Sequence, residues 1–274
     1  MPDMTWVAAV ARLRARRESG VLVTVATVRG HAPRDAGAKL VVGQTETWGS
    51  IGGGNVEAVA IDRAREMIAA SNPEQEPELI DFALNDKVTN QHGVQCCGGT
   101  VSVLLEPLPV VRAVAIFGVG HVGLELARIL ARQNLDLHLI DTRSAILTEE
   151  RLDVLADAVA QVHVHYTPLL PEEVLEELPR GTHILIMTHD HAEDAALCDA
   201  ALRTNHLGSI GLIGSAAKWV RFRKRLATEG GHDEATIDRI KTPIGLADIT
   251  GKEPATIAVS VAADLLRAFE TEGN

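Results

Sequence analysis

Positive charge is in short supply in this sequence: 26 Lys and Arg stand against 37 Asp and Glu, a formal net charge of −11 over 274 residues. A phosphate backbone rewards basic residues and would be repelled by such a surface. General nucleic-acid binding is therefore excluded, and any basic site has to be local. Cysteine is equally sparse. Three residues, two of them adjacent at Cys96 and Cys97, do not make the disulfide framework of a secreted scaffold, so reduced thiols are expected. Aromatic residues are few, and no apolar run approaches the length of a bilayer span. The opening MPDMTWVAAVARLRARR carries its positive charge after a short apolar stretch, the reverse of a secretory signal, which points to a cytoplasmic protein with no membrane partner. What is present is ordinary: 46% apolar and 23% charged residues suit a packed globular chain rather than a disordered one.

The length suits two modest domains, with prolines at Pro107 and Pro109 marking the boundary between 1–108 and 109–274. In the first part, helical spacing runs to Arg17 with Gly20 as the natural stop. The β-branched run Val21 to Val28, KLVVG, ETWGSI, ELIDFAL and TVSVLLEPL read as strands, and a helix begins near Asn55 or Val56. That is a small α+β domain. From Val111 strands and helices alternate: VRAVAIF, HVGLELARILARQ, DLHLID, VHVHY, HILIMTH, AEDAALCDAALRT, LGSIGLIGS and AKWVRFRKRLAT, with Pro254 opening a last apolar helix. Such alternation predicts a Rossmann-type, doubly wound parallel sheet, so the fold class is α/β with an α+β domain in front.

Gly118, Gly120 and Gly123 form GxGxxG directly after a predicted strand and at the start of a helix. In that context the first glycine permits a tight turn, the second lets backbone approach a pyrophosphate, and the third lets helix and strand pack closely. Asp141, about twenty residues on, ends the next strand, where an acid can accept hydrogen bonds from a ribose. A nucleotide or pterin phosphate fits the turn; the plainer alternative is a compact turn with no ligand. RGHAPRDAGAK gathers Arg29, His31, Arg34 and Lys39 into one loop. Guanidinium groups bind phosphate bidentately and stack on heterocycles, so the loop suits an anionic, ring-containing ligand, against the alternative of a solvated loop. Gly52, Gly53 and Gly54 offer unhindered backbone N–H groups leading into a helix, a second place for phosphate unless a tight turn alone requires them. Cys96 and Cys97 lack the second ligand pair of a zinc site. Buried inert thiols are the ordinary case, but soft thiolates bind soft metals and exchange sulfur, which makes the pair a candidate molybdenum or sulfur contact. Ser215 and Lys218 stand at a further helix start where ligand binding is reasonable, and in THDHAED helix capping or ligand positioning is expected rather than metal binding.

Taken together, RGHAPRDAGAK, WGSIGGGNVE, QCCGGTVSVLLE, FGVGHVG, THDH, GLIGSAAK and TPIGLADITGKEPATIAVSVAA resemble, in order and spacing, the xanthine dehydrogenase accessory protein family, XdhC/CoxI. The resemblance runs nearly end to end. It implies an N-terminal XdhC/CoxI domain followed by a Rossmann domain, in a homodimer. It also implies a chaperone that binds molybdenum cofactor (molybdopterin) and keeps it while a cysteine desulfurase supplies sulfur in place of an oxo ligand. The cofactor is then delivered to apo-xanthine dehydrogenase or a related molybdenum hydroxylase, with the doubled cysteine of QCCGG favouring a purine-oxidising client. No catalytic residue is assigned. The cofactor-binding set under this resemblance is Arg29, His31, Arg34, Gly52, Gly53, Gly54, Cys96, Cys97, Gly118, Gly120, Gly123, Asp141, Ser215 and Lys218. Two other readings stay open: an NAD(P)-dependent oxidoreductase using the glycine turn, and a thiol-based redox or metal regulator.

Overall fold

A computed structural model describes residues 4–70, 75–84 and 99–271. The chain divides into two compact units, one to Val110 and one from Val111 to Glu272. The first contains α1 (Trp6–Arg16), β1 (Gly20–Arg29), β2 (Lys39–Val42), β3 (Thr47–Gly49), α2 (Gly54–Ala70), β4 (Glu78–Ala83) and β5 (Thr100–Leu108). Its strands form one antiparallel sheet in the order β3-β2-β1-β5-β4. Side chains alternate across a strand with period two, and this sheet uses both faces. Val21, Val23 and Val25 of β1 and Leu40 and Val42 of β2 pack with Val56, Ala60, Ala64 and Met67 of α2. The intervening Leu22 and Val41 turn to the opposite face, where α1 docks through Ala9 and Leu13.

The end of α1 differs from the expectation that Gly20 stops it. The helix closes at Arg17, a non-glycine residue in the left-handed region with φ 52°. The N–H of Glu18 reaches back to the carbonyl of Leu13 at 2.9 Å, which satisfies a terminal acceptor and makes the conformation tolerable for arginine. Gly20 instead opens β1, for a different reason: a Cβ there would stand 2.5 Å from Leu13 Cδ1.

The second unit runs β6 (Ala113–Phe117), α3 (His121–Leu130), β7 (Asp136–Asp141), α4 (Glu149–Leu152), β8 (Gln161–Tyr166), α5 (Val174–Glu177), β9 (His183–Ile186), α6 (His191–Arg203), β10 (Ile210–Leu212), α7 (Ala216–Thr228), α8 (Glu234–Ile237), β11 (Ile240–Lys241) and α9 (Pro254–Thr271). All six strands are parallel, in the order β11-β10-β9-β6-β7-β8. Every residue of β6, β7, β9 and β10 is buried, because helices cover both faces; β6 accordingly reads as an unbroken apolar run, while β7 and β9 carry buried polar residues at Asp136, His138, Asp141 and His183. Leu126 and Leu130 of α3 and Val261, Leu265 and Phe269 of α9 pack with Val114, Leu137 and Leu139 on one face. Leu175 of α5, Cys198 and Leu202 of α6 and Phe222 and Leu226 of α7 pack with Phe117, Ile140 and Ile186 on the other. The chain builds outward from β6 through β7 to β8, then returns to place β9 on the other side of β6. Ligands of open α/β sheets bind at such a reversal, beyond the carboxyl ends of the strands. No described helix is long and apolar enough to cross a membrane.

Candidate cofactor-binding site

At the reversal, the three glycines of the turn after β6 have separate reasons. Gly118 has φ +99°, and a Cβ on it would lie 2.5 Å from the carbonyl oxygen of Met187 at the end of β9. Gly123 packs α3 onto the turn so tightly that a Cβ would stand 2.1 Å from Gly118 O. Gly120 has neither reason: its φ is −68°, and a Cβ would meet nothing within 4 Å. The middle glycine therefore faces open space at the start of α3. His121, beside it, is exposed.

Asp141 closes the far side of this turn. Its side chain is only 2% exposed, yet both oxygens are engaged. Oδ2 accepts from Val119 N at 2.8 Å and Arg143 Nη2 at 2.9 Å, while Oδ1 accepts from Arg143 N at 3.0 Å and Arg143 Nε at 2.9 Å. Burial pushes this carboxyl up, but the side-chain and backbone hydrogen bonds from Arg143 and the N–H of Val119 outweigh it and hold the group below the ordinary carboxylate range. In this state Asp141 therefore ties the turn to Arg143, and a ribose would have to take the place of the guanidinium. Next to it, Glu193 at the start of α6 accepts from Thr142 Oγ1 at 3.4 Å. Burial raises the Glu193 pKa first; His189 pulls it down, and Asp141 and Asp194 raise it again.

Lys218 is engaged by its neighbours at the strand ends. Its ammonium donates to Asp194 Oδ2 at 2.5 Å and to Ile213 O at 3.0 Å, and it lies 5.1 Å from the Phe222 ring centre. The residue is 8% exposed. In this state Lys218 is held in a buried ion pair, because Asp194, 1% exposed, needs a counter-ion. Ser215 is the N-cap of α7 and accepts from Lys218 N at 3.3 Å. Asp190 likewise caps α6 through Ala192 N and Glu193 N, the capping role expected for THDHAED. Among the described residues no group of three His, Cys, Asp or Glu side chains could hold a metal ion.

In the first unit, two of the sequence motifs meet. A Cβ on Gly52 would lie 2.8 Å from Pro33 Cβ and 3.3 Å from Arg34 Cγ, so the glycine run and the basic loop are in contact. A Cβ on Gly99, two residues beyond Cys97 in the sequence, would lie 2.4 Å from His31 O and 2.7 Å from Arg29 O. A shallow pocket at this junction is lined by Pro33, Arg34, Ile51, Gly53, Leu84 and Val101. Arg29, His31 and Arg34 are exposed, and their side chains pair with no other described residue. Lys39 is not part of this set: its ammonium donates to Thr24 Oγ1 at 2.9 Å and lies 5.2 Å from the Trp6 ring centre. Cys96 and Cys97 lie outside the described residues.

The expected phosphate nest of Gly52, Gly53 and Gly54 holds an anion already. Glu57 Oε2 accepts from Ser50 Oγ at 2.6 Å, Ile51 N at 2.9 Å and Gly53 N at 3.0 Å. Gly52 N is taken by Ser50 Oγ at 3.1 Å, and Gly54 is the first residue of α2. The turn serves its own helix as an N-terminal cap. A phosphate there would have to displace Glu57.

Residues 114–265 match the model of the XdhC Rossmann domain, more than half of the chain, and residues 13–82 match the model of the XdhC and CoxI family. The chain belongs to the XdhC family. The uncharacterized protein YqeB of Escherichia coli strain K12 is 24% identical over 257 residues, 94% of this chain and 45% of that protein. The XdhC chain thus spans less than half the length of this relative. Among solved structures, a Bacillus halodurans chain described as a xanthine dehydrogenase aligns over 98% of this chain and 96% of its own, at 19% identity and a TM-score of 0.49.

Three residues of this XdhC chain gain roles that sequence reasoning did not assign. Arg143 partners Asp141 from two positions away, a spacing visible in DTR but carrying no signal until the strand end fixes the backbone. Glu193 was hidden among the acids of THDHAED. Glu57 follows the glycine run at the spacing of an acidic helix cap, and that was the available clue. Glu57→Ala is expected to cost about 1 kcal/mol, the usual worth of a cap, measured by urea denaturation of the intact chain. Burial pushes the Glu57 carboxyl up, but the Ser50 hydroxyl and the Gly53, Ile51 and Gly52 N–H groups hold it below its ordinary 4.5. Its contribution is therefore complete above pH 4.5 and lost as pH falls through the lower folded value. Loss of stability on acidification that is the same in wild type and Glu57→Ala would remove this assignment.

Proposed function

We propose that this XdhC protein acts in the maturation of xanthine dehydrogenase or a related molybdenum hydroxylase, by binding molybdenum cofactor, protecting it during sulfuration and delivering it to the apoenzyme. One observation supports the reading: Arg29, His31 and Arg34 of one loop are exposed with no described partners, and Arg34 lines a shallow pocket with Pro33, Ile51 and Gly53. Two guanidinium groups without partners among the described residues, on a protein of net charge −11, suit an anionic cargo, and a planar guanidinium suits a heterocycle attached to a phosphate. The residues present fit a pterin phosphate at Arg29 and Arg34 better than at Gly52 to Gly54, where Glu57 occupies the N–H groups. Cys96 and Cys97 are proposed as the sulfur ligands that retain the cargo while a cysteine desulfurase works on it, since thiolates are the soft donors molybdenum and sulfane sulfur prefer. The protein's part is binding and hand-over; the acting form is proposed to be a homodimer in the cytoplasm.

The test is to purify the intact chain from cells that make the cofactor, oxidise it and read pterin fluorescence in the released material. Wild type should release pterin. Each charge-assisted hydrogen bond is worth roughly 1.5–3 kcal/mol, so Arg29→Ala combined with Arg34→Ala should cut retention at least about tenfold, and Cys96→Ala or Cys97→Ala should weaken it as well. A wild-type protein without pterin, or full retention in every variant, overturns the proposal. A second reading, an NAD(P)-dependent oxidoreductase, draws on the open face at Gly120; it requires released nicotinamide and a hydride acceptor.

A further inference from the structure

Edge strands present a row of unpaired N–H and C=O groups that can template pairing with another chain, and folded proteins blunt them by shortness or by charge. Three of the four described sheet edges are blunt in this way: β3 has three residues, β11 has two, and β4 carries Glu78 and Asp81. The fourth, β8, is not. It is six residues long, and from Ala158 to Leu170 the sequence contains no Asp, Glu, Lys or Arg. Of thirteen exposed large apolar side chains among the described residues, six belong to this strand and its two flanks: Val154, Val159, Val164, Tyr166, Leu169 and Leu170. We propose that the free edge of β8 pairs with β8 of a second copy of the chain, antiparallel and centred on Val164, joining two six-stranded sheets into one. The seam belongs to the homodimer proposed above and rests on that reading.

Charge and symmetry select a second copy as the occupant. Two chains of net charge −11 repel each other over most of their surfaces and meet most easily where neither presents charge. The run from Ala158 to Leu170 is such a place. A two-fold axis through Val164 sets residues equidistant from it opposite one another, as a self-complementary contact requires. Val164 then meets its own copy and Val162 meets Tyr166, an aromatic on a β-branched side chain, which is a favourable cross-strand pair. Just beyond the strand ends Val159 stands level with Leu169, and these two are 62% and 80% exposed in the single chain. Side chains alternate along the strand, so Val162, Val164 and Tyr166 share one face while His163 and His165 share the other. On that second face β8 is already secured to its own sheet. His138 of β7 stacks on His163 with ring centres 4.6 Å apart, and its Nδ1 lies 3.1 Å from His165 Nε2. With all six residues in register against β7, β8 is a preformed template that needs no ordering on binding.

Sedimentation velocity of the intact chain at about pH 8, where imidazole is neutral, over concentrations reaching about 100 µM tests the assignment. Wild type should sediment as a dimer. Val164→Lys sets two ammonium groups opposite each other at the axis and should weaken the dimer at least about tenfold. Because Val164 is 48% exposed, that variant should keep the far-UV circular dichroism of wild type. Crosslinking reads the register. Opposed Cα atoms in an antiparallel pair lie about 4.5–5.5 Å apart, within disulfide range, so Val164→Cys should form an intersubunit disulfide on mild oxidation. Gln161→Cys should not, since its two copies would stand roughly 20 Å apart. Wild type oxidised in parallel gives the background from the native cysteines. A wild type that stays monomeric throughout overturns the seam and the homodimer together, in favour of a strand from a different protein. A dimer that Val164→Lys leaves intact, or a Val164→Cys chain that crosslinks no better than Gln161→Cys, overturns the seam alone. Pterin release is a separate readout on the same preparation, so the cargo reading stands or falls independently.

Discussion

Lys218→Met is expected to destabilise the Rossmann unit by about 3–5 kcal/mol, the range for removing one partner of a buried ion pair. Methionine keeps most of the volume, so the loss is one of charge. Asp194 would be left 1% exposed with hydrogen bonds from Thr188 N and Oγ1 but no counter-ion. The pair also ties two strand ends together, since Lys218 reaches Ile213 after β10 and Asp194 reaches Thr188 after β9. The neighbouring Cys198 reports how poorly this region solvates charge: burial first, then Asp194, pushes its thiol up to about 12. Arg225→Met is the control. Arg225 and Glu229 pair at 2.9 Å with side chains 53% and 66% exposed, and such a pair contributes roughly 0–1 kcal/mol. Urea denaturation of the intact chain, with hydrogen exchange at the amides of β9 and β10 to locate the effect, separates the two. Adding Asp194→Leu to Lys218→Met should restore most of the loss, because an apolar pair leaves no buried charge. A Lys218→Met effect no larger than that of Arg225→Met would sink the argument.

The contrast between Lys218 and Arg225 marks the boundary of what could be read in advance. Both stand in the same run, AKWVRFRKR, and nothing local distinguishes them. Strand and helix periods are local, and β6, β7, α3 and α9 all fall where the apolar pattern puts them. GxGxxG was legible for the same reason, as strand, turn and helix lie within one short segment. Which charged side chain points inward is decided by distant partners. Lys218 is drawn in by Asp194, twenty-four residues away, and the N–H groups of Ile51 and Gly53 are filled by Glu57 only once α2 has its direction. Arg17 ends α1 in a conformation that favours glycine because the helix carbonyls are satisfied there, a tertiary and backbone effect that overrides residue preference. The chemical types at the candidate sites were therefore readable, and their pairing was not.

Gly118→Ala should be among the most damaging single-methyl additions in the chain, on the order of 4 kcal/mol. Two costs combine: a left-handed φ of +99° for a residue with a Cβ, roughly 1–3 kcal/mol, and a methyl 2.5 Å from Met187 O, roughly 1–3 kcal/mol of overpacking. Backbone atoms cannot rotate aside as a side chain end can. Gly123→Ala pays only the second kind of cost, but at 2.1 Å from Gly118 O, so it should fall close behind. Gly120→Ala at the centre of the same turn should be neutral or slightly stabilising, because a compatible backbone loses less entropy on folding with alanine than with glycine. Denaturation midpoints of the three variants give the order directly. Equal costs at all three positions would mean that the turn needs its glycines as a generic flexible loop, and the open face at Gly120 would then lose its claim to be a place kept clear for a ligand.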